Sequence, residues 1–259
     1  MQFYLLKFQM VLGLKIQYDG TNYSGWQIQN NAISIQQRLE LAVSTVIGNK
    51  VKAIGAGRTD TGVHARAQVA SFNLENPIRI PPNKLSLAIN SKLPYDIRIV
   101  ETKMFDRDFH ARFDAIAREY SYSINTKENV FNNRFSTFIK YKLDLDLLWD
   151  SAKIFRNTQD FTTFSKLNPD SNNPVCHVMT SRWDIIDSNT FVYSIKSNHF
   201  LYGMVRSILG AMIDVARGKR TLPEIEQSLT KKDRSLNSPL ISAKGLILEK
   251  ISYPENFDF

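Results

Sequence analysis

Between Leu12 and Glu101 the apolar residues switch repeatedly between a period of two and a period near 3.6, and this succession restricts the fold more than any other feature. Leu12, Leu14, Ile16 and Tyr18 alternate with other residues, which predicts a strand with one buried face, and Asp19-Gly20 ends it with a turn signal. Ser34 and Gln37 have capping-box spacing, and Ile35, Leu39, Ala42, Val43, Val46 and Ile47 follow along one helical face until Gly48 stops them. Strands are predicted through Val51 to Ile54 and Gln68 to Leu74. A second helix starts at Pro81-Pro82 and runs through Leu85, Ala88, Ile89 and Leu93. A strand follows from Ile97 to Glu101. The order is β-α-β-β-α-β. Short connections between strands demand antiparallel pairing, so the layout is a split βαβ unit in an α+β fold.

A charged stretch from Phe105 to Asp114 marks a boundary, giving an N-terminal half over 10–104 and a C-terminal half over 105–259. In the second half, Arg118, Tyr120, Tyr122 and Ile124 share one face of a strand, with Glu119, Ser121 and Ser123 on the other. Asp144 or Asp146 caps a helix carrying Leu148, Ala152 and Phe155. The polar run from Lys166 to Pro174 reads as a mobile loop. Strands are predicted near Arg182 to Ile186 and Phe191 to Lys196. The longest helix is expected to begin around Asn198 to Phe200 and to end at Gly218, with Arg206 among otherwise buried residues. Thr221 and Glu224 bracket Pro223 in a second capping pattern, and Gly245 to Ile251 closes the chain as a strand. The second half echoes the first in element order, without a sequence repeat.

The net charge of +8 on 259 residues favours a polyanionic partner, nucleic acid first and an anionic membrane surface second. The single cysteine, Cys176, excludes an internal disulfide framework and fits a reducing cytoplasm. His64, His110, His177 and His199 are scattered, with no metal-ligand spacing, so no metal site is expected. No apolar run is long enough to span a bilayer, and Met1 to Leu14 lacks the plan of a signal peptide. Met10 offers an alternative start, which makes the first nine residues an extension.

The segment Gly55-Ala56-Gly57-Arg58-Thr59-Asp60-Thr61-Gly62-Val63-His64 lies between two predicted strands and holds one carboxylate among Arg58, His64 and Arg66. Gly57 and Gly62 have Walker A spacing, but Val63 stands where lysine is needed, and a strand rather than a helix follows. Asp60 and His64 have no third ligand nearby, so His64 reads as a hydrogen-bonded loop residue. What is left is a job for Asp60 itself. Aspartate is a favoured turn residue, so a structural role stays open. A carboxylate kept charged by an arginine such as Arg58 or Arg206 also suits attack on an electron-poor carbon, or stabilisation of a cation beside a sugar.

This loop resembles the catalytic motif of the TruA family of tRNA pseudouridine synthases. Tyr18 to Gln27, Phe109 to Phe113, Ala117 to Tyr122, Asp160 to Phe164, Phe200 to Arg206 and Ala243 to Leu246 resemble other segments of that family, in the same order, so the likeness runs from Leu14 to Pro254. The resemblance implies isomerisation of uridine to pseudouridine on the 3′ side of the tRNA anticodon stem-loop, without a cofactor, by a homodimer that binds tRNA across both subunits. It implies two similar α/β halves sharing one mainly antiparallel sheet, with helices packed behind it and the active site in a central cleft. Asp60 matches the family's essential aspartate. Tyr120 matches the tyrosine packed against the target base, Arg206 the arginine paired with the aspartate, Arg58 the arginine that holds the nucleotide out of its helix, and Leu246 an apolar residue of the uracil pocket. For Asp60 three steps stay open: attack on the sugar, attack on the base, or removal of a sugar proton. Cys176-His177 departs from the basic or polar pair that the family carries there.

Two other functions fit parts of the pattern. A non-catalytic structured-RNA-binding protein would use the same charge and aromatics, but has no use for an anion in a phosphate-binding surface. A glycoside-processing enzyme would need a second placed carboxylate, and none partners Asp60 in the sequence.

Overall fold

A computed structural model describes residues 10–106, 108–166, 173–257 and 259. The extension over 1–9 and most of the loop expected between Lys166 and Pro174 lie outside the described residues. The fold is mixed α/β with mainly antiparallel strand pairing. The chain divides into two compact units, Met1–Ile116 with Ile251–Phe259, and Ala117–Lys250.

In the first unit, β1 (Met10–Tyr18) is flanked on one side by β3 (His64–Leu74) and on the other by β4 (Ile97–Phe105), both antiparallel. Leu12 lies opposite Phe72 and Met104, and Leu14 opposite Ala70. Leu12, Leu14 and Ile16 are fully buried on the expected face, but Val11 and Gly13 on the opposite face are buried too, so the one-sided pattern holds only from Leu14 to Tyr18. Among the described residues two α-helices complete the unit, α1 (Ile35–Ile47) and α2 (Pro82–Asn90). The Ser34 hydroxyl accepts from the Gln37 N–H at the start of α1, and Gly48 ends it at φ 83°. Ile35, Leu39, Ala42 and Val43 form its buried stripe.

The strand expected from Val51 to Ile54 shrinks to β2 (Ile54–Gly55), paired with Ser71 and Ala70 of β3. Side chains of α1 take the place of a sheet partner for the residues before it. Ser44 Oγ accepts from the Val51 N–H, Glu40 Oε1 accepts from the Ala53 N–H, and Gln36 Nε2 donates to the Ala53 carbonyl.

The second unit contains β5 (Ala117–Asn125), β7 (Val178–Asp187), β8 (Thr190–Ser197) and β9 (Leu246–Ser252), in the order β9-β5-β8-β7. The last two residues of β9 are counted with the first unit. A short strand with no sequence signature, β6 (Thr137–Phe138), pairs parallel with the end of β5. Tyr122 and Ile124 are fully buried in β5, and Tyr193 and Ile195 in β8. Three helices pack here: α3 (Leu145–Asn157), capped by Asp144, α4 (Met204–Ala216) and α5 (Leu222–Lys231). The capping box of Thr221 and Glu224 forms as expected. α4 begins later than its apolar pattern suggests and, at 13 residues, equals α1 and α3 in length. Gly203, at φ 71°, forces the turn into the helix. The residues before it bond elsewhere: the Asn198 N–H donates to the His177 carbonyl, and the Lys166 N–H to that of Tyr202. Among the described residues no helix is long and apolar enough to cross a membrane.

Candidate active site

The loop carrying Asp60 sits between β2 and β3 and rests on the segment after β1. The Ala56 N–H bonds to the Val69 carbonyl at 2.8 Å, and the buried Gln68 amide donates to the Gly57 carbonyl at 2.9 Å. Arg58 is exposed, whereas Thr59 is buried, with its hydroxyl 2.8 Å from the Tyr18 hydroxyl. Burial pushes the Tyr18 phenol up to about 12, against the opposing hydrogen bonds of Thr59 and Gln68, so it stays a neutral hydrogen-bonding group at pH 7. The Thr59 carbonyl accepts from the Trp26 N–H at 3.0 Å. Asp60 then starts a turn in which its carbonyl accepts from the Val63 N–H at 3.1 Å, and Gly62 supplies the left-handed residue at φ 76°. The Asp60 side chain is half-buried.

Two glycines of the Tyr18 to Gln27 segment explain how closely it underlies this loop. A Cβ on Gly20 would fall 2.0 Å from the Val63 carbonyl oxygen, and one on Gly25 would fall 2.6 Å from that of Thr59. His64 is hydrogen-bonded as expected, but it is the first residue of β3 rather than part of the loop, and it is almost fully buried. Its Nδ1 lies 3.1 Å from both the Gly20 N–H and the Asp19 carboxylate. One nitrogen cannot accept from the first and donate to the second. The buried main-chain N–H of Gly20 needs an acceptor, which favours a neutral ring with unprotonated Nδ1, and Asp19 is already engaged by the Thr21 N–H and hydroxyl.

The second unit carries the remaining expected residues. Tyr120 lies on β5 opposite Ile195, is 8% exposed, and meets the Phe200 ring edge-on with centroids 5.2 Å apart. Two residues on, the Tyr122 hydroxyl lies 2.7 Å from the Thr137 hydroxyl and donates to the Ser242 carbonyl at 2.9 Å. Arg206 occupies the first turn of α4. Its Nε donates to the Ile241 carbonyl at 2.9 Å, and its own carbonyl accepts from the Ile241 N–H at 3.3 Å. The segment reaching Ile241 runs so close to α4 that a Cβ on Gly210 would fall 2.2 Å from the Pro239 carbonyl oxygen. Gly245 likewise admits the close passage of Tyr122 and the Ser123 carbonyl, and Leu246 follows as the first, buried residue of β9. Tyr120, Arg206 and Leu246 are thus brought into one unit through the neighbours of Tyr122, the 239–245 segment and β5. Asp60 and Arg58 belong to the other unit.

Cys176, adjacent to His177 in sequence, instead approaches His199, with Sγ 3.5 Å from Nε2. It is fully buried, and burial, aided by the Asp160 charge, pushes its thiol up to about 12. His199 is pushed below its ordinary value, by burial first and then by the Arg118 charge. Both are neutral packing groups at pH 7. Sequence reasoning missed this pairing because the two residues are separated by β7 and β8, with no periodic signal to connect them.

The profile of the tRNA pseudouridine synthase family matches residues 15–114 and 152–254. The tRNA pseudouridine synthase A of Bacteroides fragilis is 37% identical over 93% of this chain and 95% of its own length. The chain belongs to the tRNA pseudouridine synthase family. Within this family of isomerases, the enzyme of the same name from Clostridium kluyveri is also 37% identical, over 93% of this chain and 98% of its own length. That of Chlamydia trachomatis is 36% identical over 95% and 93%. Both profile segments include the structures described above: the first covers the glycine-lined Asp60 loop, the second α4 with Arg206 and the start of β9.

Proposed function

We propose that this protein isomerises uridine to pseudouridine in the anticodon stem-loop of tRNA, with Asp60 as the essential catalytic residue. The observation that supports the role of Asp60 is the construction of its loop. A carboxylate is held at a turn whose preceding carbonyl is fixed by Trp26, whose preceding hydroxyl is fixed by Tyr18, and whose floor admits no side chain at Gly20 or Gly25. Such fixing suits a group that must meet a reacting atom without reorganising.

The reaction breaks the N1–C1′ bond of the nucleotide and forms a C5–C1′ bond in its place. The C5 proton leaves to solvent and N1 gains one, so no redox partner or cofactor enters the balance. The target base must first leave its stack, at a cost of a few kcal/mol. Tyr120 then packs on the base, Leu246 lines the apolar side of the uracil pocket, Arg58 holds the extruded nucleotide, and Arg206 pairs with the Asp60 carboxylate and keeps it ionised. A closed apolar pocket retains the detached uracil and keeps water from the sugar. In this reading the half over 10–104 contributes the aspartate, and the half over 105–259 the tyrosine and the arginine. The two similar halves share one sheet with helices behind it and the active site in the central cleft. The enzyme works as a cytoplasmic homodimer on tRNA.

The test is incubation with unmodified tRNA labelled with tritium at C5 of uridine. Stoichiometric release of label to water is expected. Absence of release from every tRNA that binds would refute the enzymatic reading and leave a structured-RNA-binding protein.

A further inference from the structure

The C-terminal end of α4 carries an aromatic and basic cluster apart from the residues described above. The strip over 139–144 is pinned at both ends: the Ile139 N–H bonds to the Asn125 carbonyl at 2.8 Å, and the Asp144 N–H to the Ala216 carbonyl at 2.7 Å. Tyr141 stands between these anchors, 46% exposed. The Arg217 guanidinium lies over its ring at 4.7 Å, and the Lys140 ammonium approaches it at 5.3 Å. Arg217 is held in that pose by the buried Asp214 carboxylate, at 2.7 Å from Nη2 and 3.0 Å from Nε. Gly218, at φ 75°, turns the chain, so that the main-chain N–H groups of Lys219 and Arg220 both bond to the Asp214 carbonyl. Tyr141, Lys142, Arg217, Gly218 and Lys219 line an open concavity of about 430 Å³.

The charges here exceed what the fold requires. The negative end of the α4 dipole and the Asp214 carboxylate are met by Arg217, with Lys219 at a distant 3.9 Å. Lys140 and Lys142 come from a different segment and make no ion pair with any described residue. A rigid half-exposed ring backed by a guanidinium and bordered by spare ammonium groups matches a nucleotide strand, with a base stacked on the ring and phosphates beside the lysines. We propose that Tyr141, Lys140, Lys142, Arg217 and Lys219 bind a stretch of the tRNA away from the reacting uridine. Arg217 follows Arg206 by about three turns, roughly 16 Å along the helix axis at ~1.5 Å per residue, so the same bound RNA would have to reach both ends of α4. The inference rests on the tRNA substrate proposed above.

Two variants of the full chain separate stacking from charge. Lys142→Ala/Lys219→Ala alters exposed side chains and should raise the Kd for an unmodified tRNA transcript by roughly tenfold, while reducing the slope of log K against log salt by roughly 1.5. Tyr141→Leu should weaken binding by roughly tenfold with the salt slope unchanged. Unchanged affinity and slope in the lysine variant, with thermal melting as in the parent, would overturn the proposal. A change of oligomeric state in either variant without loss of tRNA affinity would overturn it too, and would assign the surface to a protein contact. Saturable binding of a free nucleoside triphosphate that the lysine variant loses while keeping tRNA affinity would replace it with a small-molecule site. Label release by the parent protein, measured on the same samples, distinguishes the two failures: release with unaltered variant binding refutes this surface alone, and binding without release refutes the isomerase alone.

Discussion

Replacing Gly25 by alanine tests whether the Asp60 loop depends on the floor beneath it. Gly25 has φ 83°, a conformation that costs an L-residue about 1–2 kcal/mol. The new Cβ would lie 2.6 Å from the Thr59 carbonyl oxygen, 3.1 Å from the Asp60 carbonyl carbon and 3.2 Å from the Thr61 nitrogen. Reaching ordinary contact near ~3.4 Å requires the Thr59 carbonyl to retreat by about 0.8 Å. That movement strains the 3.0 Å bond from the Trp26 N–H, worth about 1 kcal/mol net. The sum is about 2–3 kcal/mol, which for a chain of this size lowers Tm by about 5–10 °C. A shift approaching 1 Å next to Asp60 should also cost on the order of 100-fold in label release from tRNA. Gly57→Ala is the control, because nothing lies within 4 Å of its would-be Cβ; its stability should change by no more than about 0.5 kcal/mol. Thermal unfolding and label release on both variants decide the matter. A Gly25→Ala protein that melts and turns over like the parent, or a Gly57→Ala protein that loses as much stability, would show that the Asp60 loop does not depend on the floor at Gly25.

Other perturbations address separate parts of the molecule. His199 is depressed in the folded state by burial and by Arg118, so the unfolded chain takes up its proton first on acidification. Stability should therefore fall as pH drops from about 7 through the unfolded pKa of about 6.5, level off below the folded value, and lose this component in His199→Gln; parallel urea-melting profiles for parent and variant would contradict it. Ser34→Ala removes the cap of α1 and should cost about 1 kcal/mol in urea unfolding, whereas an unchanged midpoint would show that the cap bond contributes nothing. Arg206→Ala should reduce label release by at least about 100-fold if the guanidinium keeps Asp60 ionised, and a fully active variant would remove Arg206 from the proposed site.

The helices and strands were legible where local chemistry and burial agree. Ser34 and Gly48 mark both ends of α1, and Thr221 with Glu224 marks the start of α5, because capping is a property of adjacent residues. The strand expected at Val51 to Ile54 failed for a non-local reason: Glu40, Ser44 and Gln36 of α1 supply the bonds that a neighbouring strand would have made. The apolar stripe continues N-terminal to Gly203, but α4 starts only at Met204, because the backbone before it bonds to His177 and Lys166. β6 has two residues, too few for any period to register. Within the candidate site, Asp60 stood out as a lone carboxylate among glycines, and Arg206 as a cation in an apolar stripe. Tyr120 and Leu246 carried no such signal, since an aromatic and an aliphatic on half-buried strands are what packing alone would select. The roles proposed for them rest on the family resemblance alone. The glycines of the Tyr18 to Gln27 segment read as turn residues in the sequence; only the structure reveals that Gly20 and Gly25 make room for the Asp60 loop.

The most direct test of the account is Asp60→Asn, measured in single turnover with tRNA labelled at C5 of uridine and in parallel by tRNA binding. The substitution keeps the size of the side chain and removes its charge. The account predicts label release reduced to background, with the Kd for tRNA changed by no more than a few-fold and melting close to that of the parent. Release at the parental rate, or loss of binding and folding together, would contradict a catalytic Asp60.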